Sequence, residues 1–150
     1  YFYLLPVADN ELLPLINQSF QGLDLPILIR KNAMKDFLSV SELSIATSGT
    51  ATLESAILEC APVICYKTNF LNYSIISRML KIENIGLPNL LLSKRYYKEL
   101  LQKDFNKENI LKSVAETTDL ISESFDNANT LRNMLKGSGY YEATKSISSL

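Results

Sequence analysis

A small polar turn, Ser48-Gly49-Thr50, lies between an apolar run and a helix-like pattern. At the carboxyl end of a buried strand, such a turn presents backbone N–H groups at the positive end of a helix dipole. Gly49 would let the backbone come close to a ligand. The turn therefore indicates an anion site suited to phosphate. The same residues are also good helix-starting residues, and that role needs no ligand.

Glu54 lies on the helix that follows this turn. A capping box places Glu three residues after the cap, whereas Glu54 is four after Thr50 and six after Ser48. It has no obvious capping role, and it shares a helix face with Thr50. A carboxylate there could accept two hydroxyls of a ribose while the helix start holds phosphates. The alternative is a solvated helix glutamate.

Four further polar residues are weaker candidates. Lys67 ends the next predicted strand at the same edge of the sheet, where it could reach a phosphate or an anionic headgroup, or could simply be solvated. Asn89 follows Pro88 in a predicted turn. Glu99 and Gln102 are three residues apart, which would place both on one face of a predicted short helix. Surface decoration explains that pair equally well.

These candidates need elements that position them. The predicted strands are 1–7, 26–29, 43–47 and 63–66, and the predicted helices between them are 9–20, 31–40 and 50–60, the last closed by Pro62. Alternation of this kind is typical of βαβ units in an α/β fold with a mainly parallel sheet. Ligands of such sheets bind outside the carboxyl ends of the strands, where Ser48-Gly49-Thr50 is expected.

The second half of the chain is predicted to be helical. The predicted helices are 70–81, 96–102, 106–123, 127–136 and 140–150, with a turn at 86–89 and Gly137 just after a helix end. Helix 70–81 carries both apolar and basic residues. Packing in a core is favoured over a membrane-surface role.

Composition excludes several classes of function. A net charge of -1 lacks the basic footprint of a nucleic-acid binder, and no apolar run approaches the roughly 20 residues that span a bilayer. The chain has no histidine, which excludes Ser-His-Asp and Cys-His catalysis and His-based zinc sites within it. Cys60 and Cys65 make neither a disulfide framework nor a set of zinc ligands, which indicates a reducing cytosol.

Four motifs follow one another at a specific spacing: SGTATLE (48–54), APVICYK (61–67), GLPNLLL (86–92) and KELLQ (98–102). Together they resemble the lipid-A-disaccharide synthases. The resemblance covers nearly the whole chain, is strongest from Ser48 to Gln102 and is weak in the last helices. Joint occurrence of the four motifs is specific, whereas any one alone is not.

The resemblance implies one half of a GT-B glycosyltransferase. Residues 1–105 would form most of a Rossmann-like, UDP-sugar-binding domain, and residues 106–150 a helical C-terminal tail. The family transfers 2,3-diacylglucosamine from its UDP conjugate to 2,3-diacylglucosamine 1-phosphate (lipid X), without a metal or another cofactor. The contacts carried over are Ser48, Gly49 and Thr50 to the diphosphate, Glu54 to the ribose, and Asn89, Glu99 and Gln102 along the donor site.

The resemblance also implies what this chain lacks. Tyr1 already lies inside an apolar run, so we expect a fragment of a longer protein. The family's Pro-Gly-Ser-Arg stretch, its acceptor pocket and its proposed base would all precede Tyr1. We therefore expect no catalytic residue here, and no activity from the chain alone. The complete protein is expected to be a cytoplasmic homodimer, joined by its C-terminal helices and peripheral to the inner membrane. The alternative is that these helices pack within their own chain.

Two alternatives remain at this stage. One is another UDP-GlcNAc-type GT-B transferase or a 2-epimerase, which would share the sheet and the Ser-Gly helix start but is not expected to combine LPNLLL with KELLQ. The other is a non-enzymatic module that binds a nucleotide and uses its helical tail for a partner.

Overall fold

A computed structural model describes residues 1–68, 84–119 and 121–138. It divides the chain into two units, Tyr1–Ser41 and Glu42–Leu150. Each unit has its own parallel sheet, of two strands in the first and three in the second. The α/β class with parallel strands and flanking helices is thus confirmed, and the architecture is consistent with a Rossmann-like half of a GT-B fold.

The first unit is a short βαβ segment. Strand β1 (Tyr3–Val7) pairs in parallel with β2 (Ile27–Lys31), and between them lie a 3₁₀ turn (Asn10–Leu12) and helix α1 (Leu13–Phe20). Asp9 caps this helical segment by accepting a hydrogen bond from the Glu11 amide. Helix α2 (Met34–Val40) follows β2 and starts three residues later than predicted.

The second unit has the strand order β3-β4-β5, with all neighbours parallel. Its elements are β3 (Leu43–Thr47), α3 (Thr50–Ile57), β4 (Ala61–Tyr66), α4 (Leu87–Leu92), β5 (Glu99–Leu101), α5 (Lys107–Asp119) and α6 (Ile121–Ser138). Strand β4 is central and buried from Ala61 to Cys65, as the middle strand of a parallel sheet should be.

The core of this unit lies on both faces of β4, because successive strand side chains point to opposite faces. Ile64 packs with Ala56 of α3, Tyr97 and Leu131 of α6. Val63 and Cys65 pack with Leu100 of β5, against apolar side chains of α5. Helices on both faces therefore hold β4 and its neighbours in place, which fixes the strand ends.

Two predicted elements around the third motif are wrong. Residues 86–89 are not a turn: α4 begins at Leu87, and Pro88 fits the first helical turn because its missing N–H would have no partner there. Residues 96–102 are not a helix, since Glu99–Leu101 pairs with β4 and forms β5. Strand pairing with a buried neighbour and burial of Leu100 outweigh the helical spacing.

Several predicted boundaries also move. Helix α3 ends at Ile57, and Pro62 lies inside β4 rather than closing the helix. Gly137 lies within α6 rather than after it. Helix α5 ends at Asp119, earlier than predicted. The predicted helices 70–81 and 140–150 lie outside the described residues. None of the described helices is long and apolar enough to cross a membrane.

Leu131 is the test of this packing, because its side chain has no solvent exposure and joins α6 to the sheet. We expect Leu131→Ala to lower the free energy of unfolding by about 2–5 kcal/mol, the usual cost of a buried leucine. Leu111→Ala removes the same atoms from a side chain that is 61% exposed, and it should cost much less. Urea unfolding of both variants checks this, and equal losses would contradict the assigned core.

Candidate functional site

The carboxyl ends of β3 and β4 meet at the polar turn. Thr47, the last residue of β3, is paired with Cys65, and the Ser48 amide continues the ladder by donating to the Cys65 carbonyl at 2.8 Å. Ser48-Gly49-Thr50 thus leads directly from β3 into α3 at the sheet edge where α/β proteins bind ligands.

Gly49 has a backbone conformation that the turn requires. Its φ of 153° and ψ of -164° lie in a region that is essentially restricted to glycine. Apart from its own chain neighbours, no described residue has an atom within 4 Å of where a Cβ would stand, so these residues leave the space beside Gly49 open. Backbone conformation and open space together let a ligand approach the chain closely at this point.

No side chain of the described residues caps the start of α3. Gly49 is the N-cap residue and supplies no capping bond. The Thr52 hydroxyl donates to the Gly49 carbonyl at 2.7 Å, so it caps no N–H group. In the part of the chain that the structure describes, no side chain bonds to the amides of Thr50 and Ala51. These are the groups that bind anions at helix starts.

Glu54 lies one helical turn further along α3. Its side chain is exposed, and no described residue forms a hydrogen bond or ion pair with its carboxylate. Four residues along a helix correspond to a rise of about 6 Å. The exposed carboxylate is therefore available to a ligand that also reaches the helix start.

Glu99 is the buried acid of this edge. It begins β5, is 6% exposed and accepts three hydrogen bonds: from the Ile85 amide at 2.9 Å, the Gly86 amide at 3.0 Å and the Asn89 side chain at 2.8 Å. Donors of this kind stabilise a buried carboxylate. The carboxylate therefore fixes the segment before α4.

Asn89 has no exposed surface and uses its side chain fully within the protein. Its Nδ2 donates to the Tyr97 carbonyl and to Glu99, both at 2.8 Å. Its Oδ1 accepts from the amides of Tyr96 at 3.1 Å and Tyr97 at 2.9 Å. Asn89 therefore joins α4 to the segment that leads into β5.

Position 86 requires glycine because there is no room for a side chain, and not because of its backbone conformation. A Cβ there would overlap the Ile64 side chain and stand 3.1 Å from a Glu99 carboxylate oxygen. The Ile85 carbonyl, one residue earlier, accepts a hydrogen bond from the Ser48 hydroxyl at 3.1 Å. Side-chain types alone could not reveal Ile85, because its two contacts use only backbone atoms.

Gln102 follows β5 with a left-handed φ of 52°. Its Oε1 accepts from the Thr68 amide at 3.2 Å, and its Nε2 is buried without a hydrogen bond to any described residue. Gln102 thus joins the ends of β5 and β4. The idea that it shares a helix face with Glu99 is wrong, because Glu99 lies in a strand. Lys67 is exposed just after β4.

Neither cysteine supports chemistry at this edge. Burial raises the pKa of the Cys60 thiol and of the Cys65 thiol, so both stay protonated at neutral pH. Among the described residues, no group of three or more Cys, Asp or Glu side chains is placed to hold a metal ion. The arrangement can bind an anion and a neighbouring hydroxyl-bearing group.

Comparison with known proteins identifies the relatives of this chain. The sequence model of the lipid-A-disaccharide synthetase family matches residues 3–144. A lipid-A-disaccharide synthase of Colwellia psychrerythraea is 37% identical over 125 residues, which is 75% of this chain and 32% of that protein. Lipid-A-disaccharide synthase 2 of Legionella pneumophila (strain Paris) is 31% identical over 140 residues, which is 87% of this chain and 36% of that protein.

A lipid-A-disaccharide synthase of Neisseria meningitidis (serogroup A) is 34% identical over 117 residues, covering 76% of this chain and 30% of that protein. The chain thus spans about a third of the length of these relatives.

Asn89 tests whether the buried polar cluster supports the fold. Asn89→Ala would leave the Glu99 carboxylate and the backbone groups of Tyr96 and Tyr97 without their buried partner. We expect the free energy of unfolding to fall by about 3 kcal/mol, since each unsatisfied buried group costs about 1–3 kcal/mol. Asn133→Ala, at an exposed position of α6, should change it by less than about 0.5 kcal/mol. Similar values for the two variants in urea unfolding would contradict this role for Asn89.

Proposed function

The chain belongs to the lipid-A-disaccharide synthase family, and we propose that the complete protein is a glycosyltransferase of lipid A biosynthesis in which this chain binds the UDP-sugar. The complete protein transfers 2,3-diacylglucosamine from its UDP conjugate to 2,3-diacylglucosamine 1-phosphate (lipid X). The products are lipid A disaccharide 1-phosphate and UDP. We expect the reaction to need no metal or other cofactor.

The observation that carries this proposal is the uncapped start of α3 beside Gly49 at the carboxyl end of β3. The diphosphate of the donor lies at the Ser48-Gly49-Thr50 turn and accepts hydrogen bonds from the amides at the start of α3, and the helix dipole favours its negative charge. Glu54, one turn along, accepts hydrogen bonds from the ribose hydroxyls. Exposure of its carboxylate supports this assignment.

The chemical step breaks the bond between the sugar C1′ and the diphosphate oxygen. A new bond forms between C1′ and the 6-hydroxyl oxygen of the acceptor, and the proton of that hydroxyl passes to a base that lies outside this chain. UDP leaves with the electron pair of the broken bond. Amides placed where this negative charge develops stabilise the leaving group without reorganising, and that is the contribution of α3.

Asn89, Glu99 and Gln102 are assigned to the wall of the donor site. The side chains of Asn89 and Glu99 are bonded to protein groups, so they shape the site from behind its surface. Gln102 ties the ends of β4 and β5 on the same edge. The division into a donor domain, 1–105, and a tail, 106–150, stays a prediction for the complete protein.

The complete protein is proposed to be a homodimer at the inner membrane. Helices α5 and α6 carry apolar side chains that this chain leaves exposed: Leu111 at 61%, Phe125 at 55% and Leu135 at 43%. We expect a second copy of the protein to cover these side chains in a homodimer. Because the substrates carry acyl chains, the protein works at the cytoplasmic face of the inner membrane as a peripheral protein.

Turnover is the first test of this function. The complete protein should form disaccharide from the diacylated UDP-sugar and radiolabelled lipid X. Residues 1–150 alone should form none, because joining two sugars requires both to be held in attacking geometry. Absence of product with the complete protein would refute the proposed reaction.

Glu54 is the sharpest single-residue test of donor binding. Glu54→Ala should weaken UDP binding to the complete protein by about 1.5–3 kcal/mol, the range for hydrogen bonds to a charged group. Glu42→Ala removes an exposed carboxylate at the opposite end of β3 and should leave the affinity unchanged. Titration calorimetry measures both, and a Glu54→Ala variant that binds UDP as wild type does would refute the ribose contact.

Phe125 tests the dimer. Removing the whole tail would also remove Leu131 from the core, so a point substitution is the cleaner experiment. Phe125→Glu should convert the complete protein from dimer to monomer in light scattering at micromolar concentration, because a charge would be buried in an apolar contact. Asn133→Glu, at an exposed polar position of the same helix, should remain dimeric. A monomeric wild-type protein would refute the homodimer.

A further inference from the structure

A continuous set of hydrogen bonds runs from the buried Glu99 carboxylate to the start of α3. Glu99 Oε2 accepts from the Ile85 amide at 2.9 Å, and Oε1 accepts from the Gly86 amide at 3.0 Å. The Ile85 carbonyl then accepts from the Ser48 hydroxyl at 3.1 Å. Ser48 lies directly before Gly49, and the described residues leave the space beside the Gly49 backbone open.

We propose that Glu99 is a positioning residue for the nucleotide site: it holds the Ile85-Gly86 segment, and that segment orients Ser48 and the turn that leads into α3. This inference rests on the proposed function, because it assigns a role in the same site. It also divides the Ser-Gly-Thr motif. The hydroxyl of Ser48 serves the protein, and the backbone amides that follow it serve the ligand.

The geometry of the carboxylate supports this role. Its two oxygens accept from two successive amides, one each, and a grip at two points fixes the orientation of the segment as well as its position. Asn89 holds one of the same oxygens at 2.8 Å, and its own side chain is bonded on all sides. The carboxylate therefore has little freedom to rotate.

The hydrogen-bond inventory of Ser48 supports the division of the motif. A serine hydroxyl has one proton to donate, and here it goes to the Ile85 carbonyl. The Ser48 amide is also used, by the Cys65 carbonyl at 2.8 Å. Both donors of Ser48 are thus committed within the protein. A diphosphate at this turn must take its hydrogen bonds from the groups after Ser48, beginning with the amides at the start of α3.

The test is a double-mutant cycle on the complete protein with UDP as the probe. Glu99→Gln keeps the shape of the side chain. Its amide oxygen can still accept from Gly86 and Asn89, but its NH₂ group then faces the Ile85 amide, and two donors cannot bond. Ser48→Ala breaks the other end of the same set. Glu108→Gln, an exposed acid of α5, is the matched control.

We expect each single variant to raise the Kd for UDP about tenfold, and the double variant to raise it about tenfold as well rather than about a hundredfold, because both break one linkage. When Glu54→Ala is combined with Glu99→Gln, the two increases in the Kd for UDP should multiply, since Glu54 acts independently of the Glu99 linkage. Glu108→Gln should bind as wild type does. Thermal melts without UDP establish that the variants are folded.

Three results would contradict the positioning role of Glu99 or the function on which it rests. If the increases in Kd caused by Ser48→Ala and Glu99→Gln multiply in the double variant, Ser48 contacts UDP directly and the proposal is wrong. If both bind UDP as wild type does, the linkage does not position the site, although the nucleotide site itself stands. If wild-type protein does not bind UDP at all, the proposed function fails first.

Should Glu99→Gln fail to fold, hydrogen–deuterium exchange on the wild-type protein replaces the cycle. UDP should slow amide exchange at 84–86 together with 48–51, because one set of hydrogen bonds joins the two segments. Slowing at 48–51 with no change at 84–86 would overturn the proposal.

Discussion

The buried carboxylate of Glu99 is the interaction on which this edge of the sheet depends. A charge at such a position is costly unless donors surround it, and here two backbone amides and the Asn89 side chain supply them. Those bonds fix the Ile85-Gly86 segment, which also accepts a hydrogen bond from Ser48 at the end of β3. The acid that holds this segment is itself buried, and its hydrogen bonds are to protein groups.

Packing around β4 makes this arrangement possible. Ile64 fills one face of the strand together with Leu131 of α6, and it lies so close to Gly86 that no side chain fits there. The Gly86 amide can therefore approach Glu99. Helix α6 thus contributes to the site from a distance, since it holds the strand against which the glycine segment packs. The polar cluster around Glu99 therefore depends on the packing of the apolar core.

Sequence alone predicts the local part of this site well. The β3–turn–α3 unit follows from an apolar strand, a helix-starting turn and an amphipathic helix, all within twenty residues of chain, and β3 is found where it was predicted. The region from Gly86 to Gln102 could not be predicted in the same way. Its strand exists because β4 offers an edge, and the Glu99 contacts use backbone atoms of a distant segment. The family resemblance located this region without revealing that Asn89 and Glu99 are buried.

The decisive measurement is a crystal structure of the complete protein with UDP. We expect diphosphate oxygens within hydrogen-bond distance of the Thr50 and Ala51 amides. We also expect Glu99 to keep its bonds to Ile85 and Gly86 and not to touch the nucleotide. A diphosphate bound away from the start of α3, or a Glu99 carboxylate that turns to contact UDP, would contradict the proposed site.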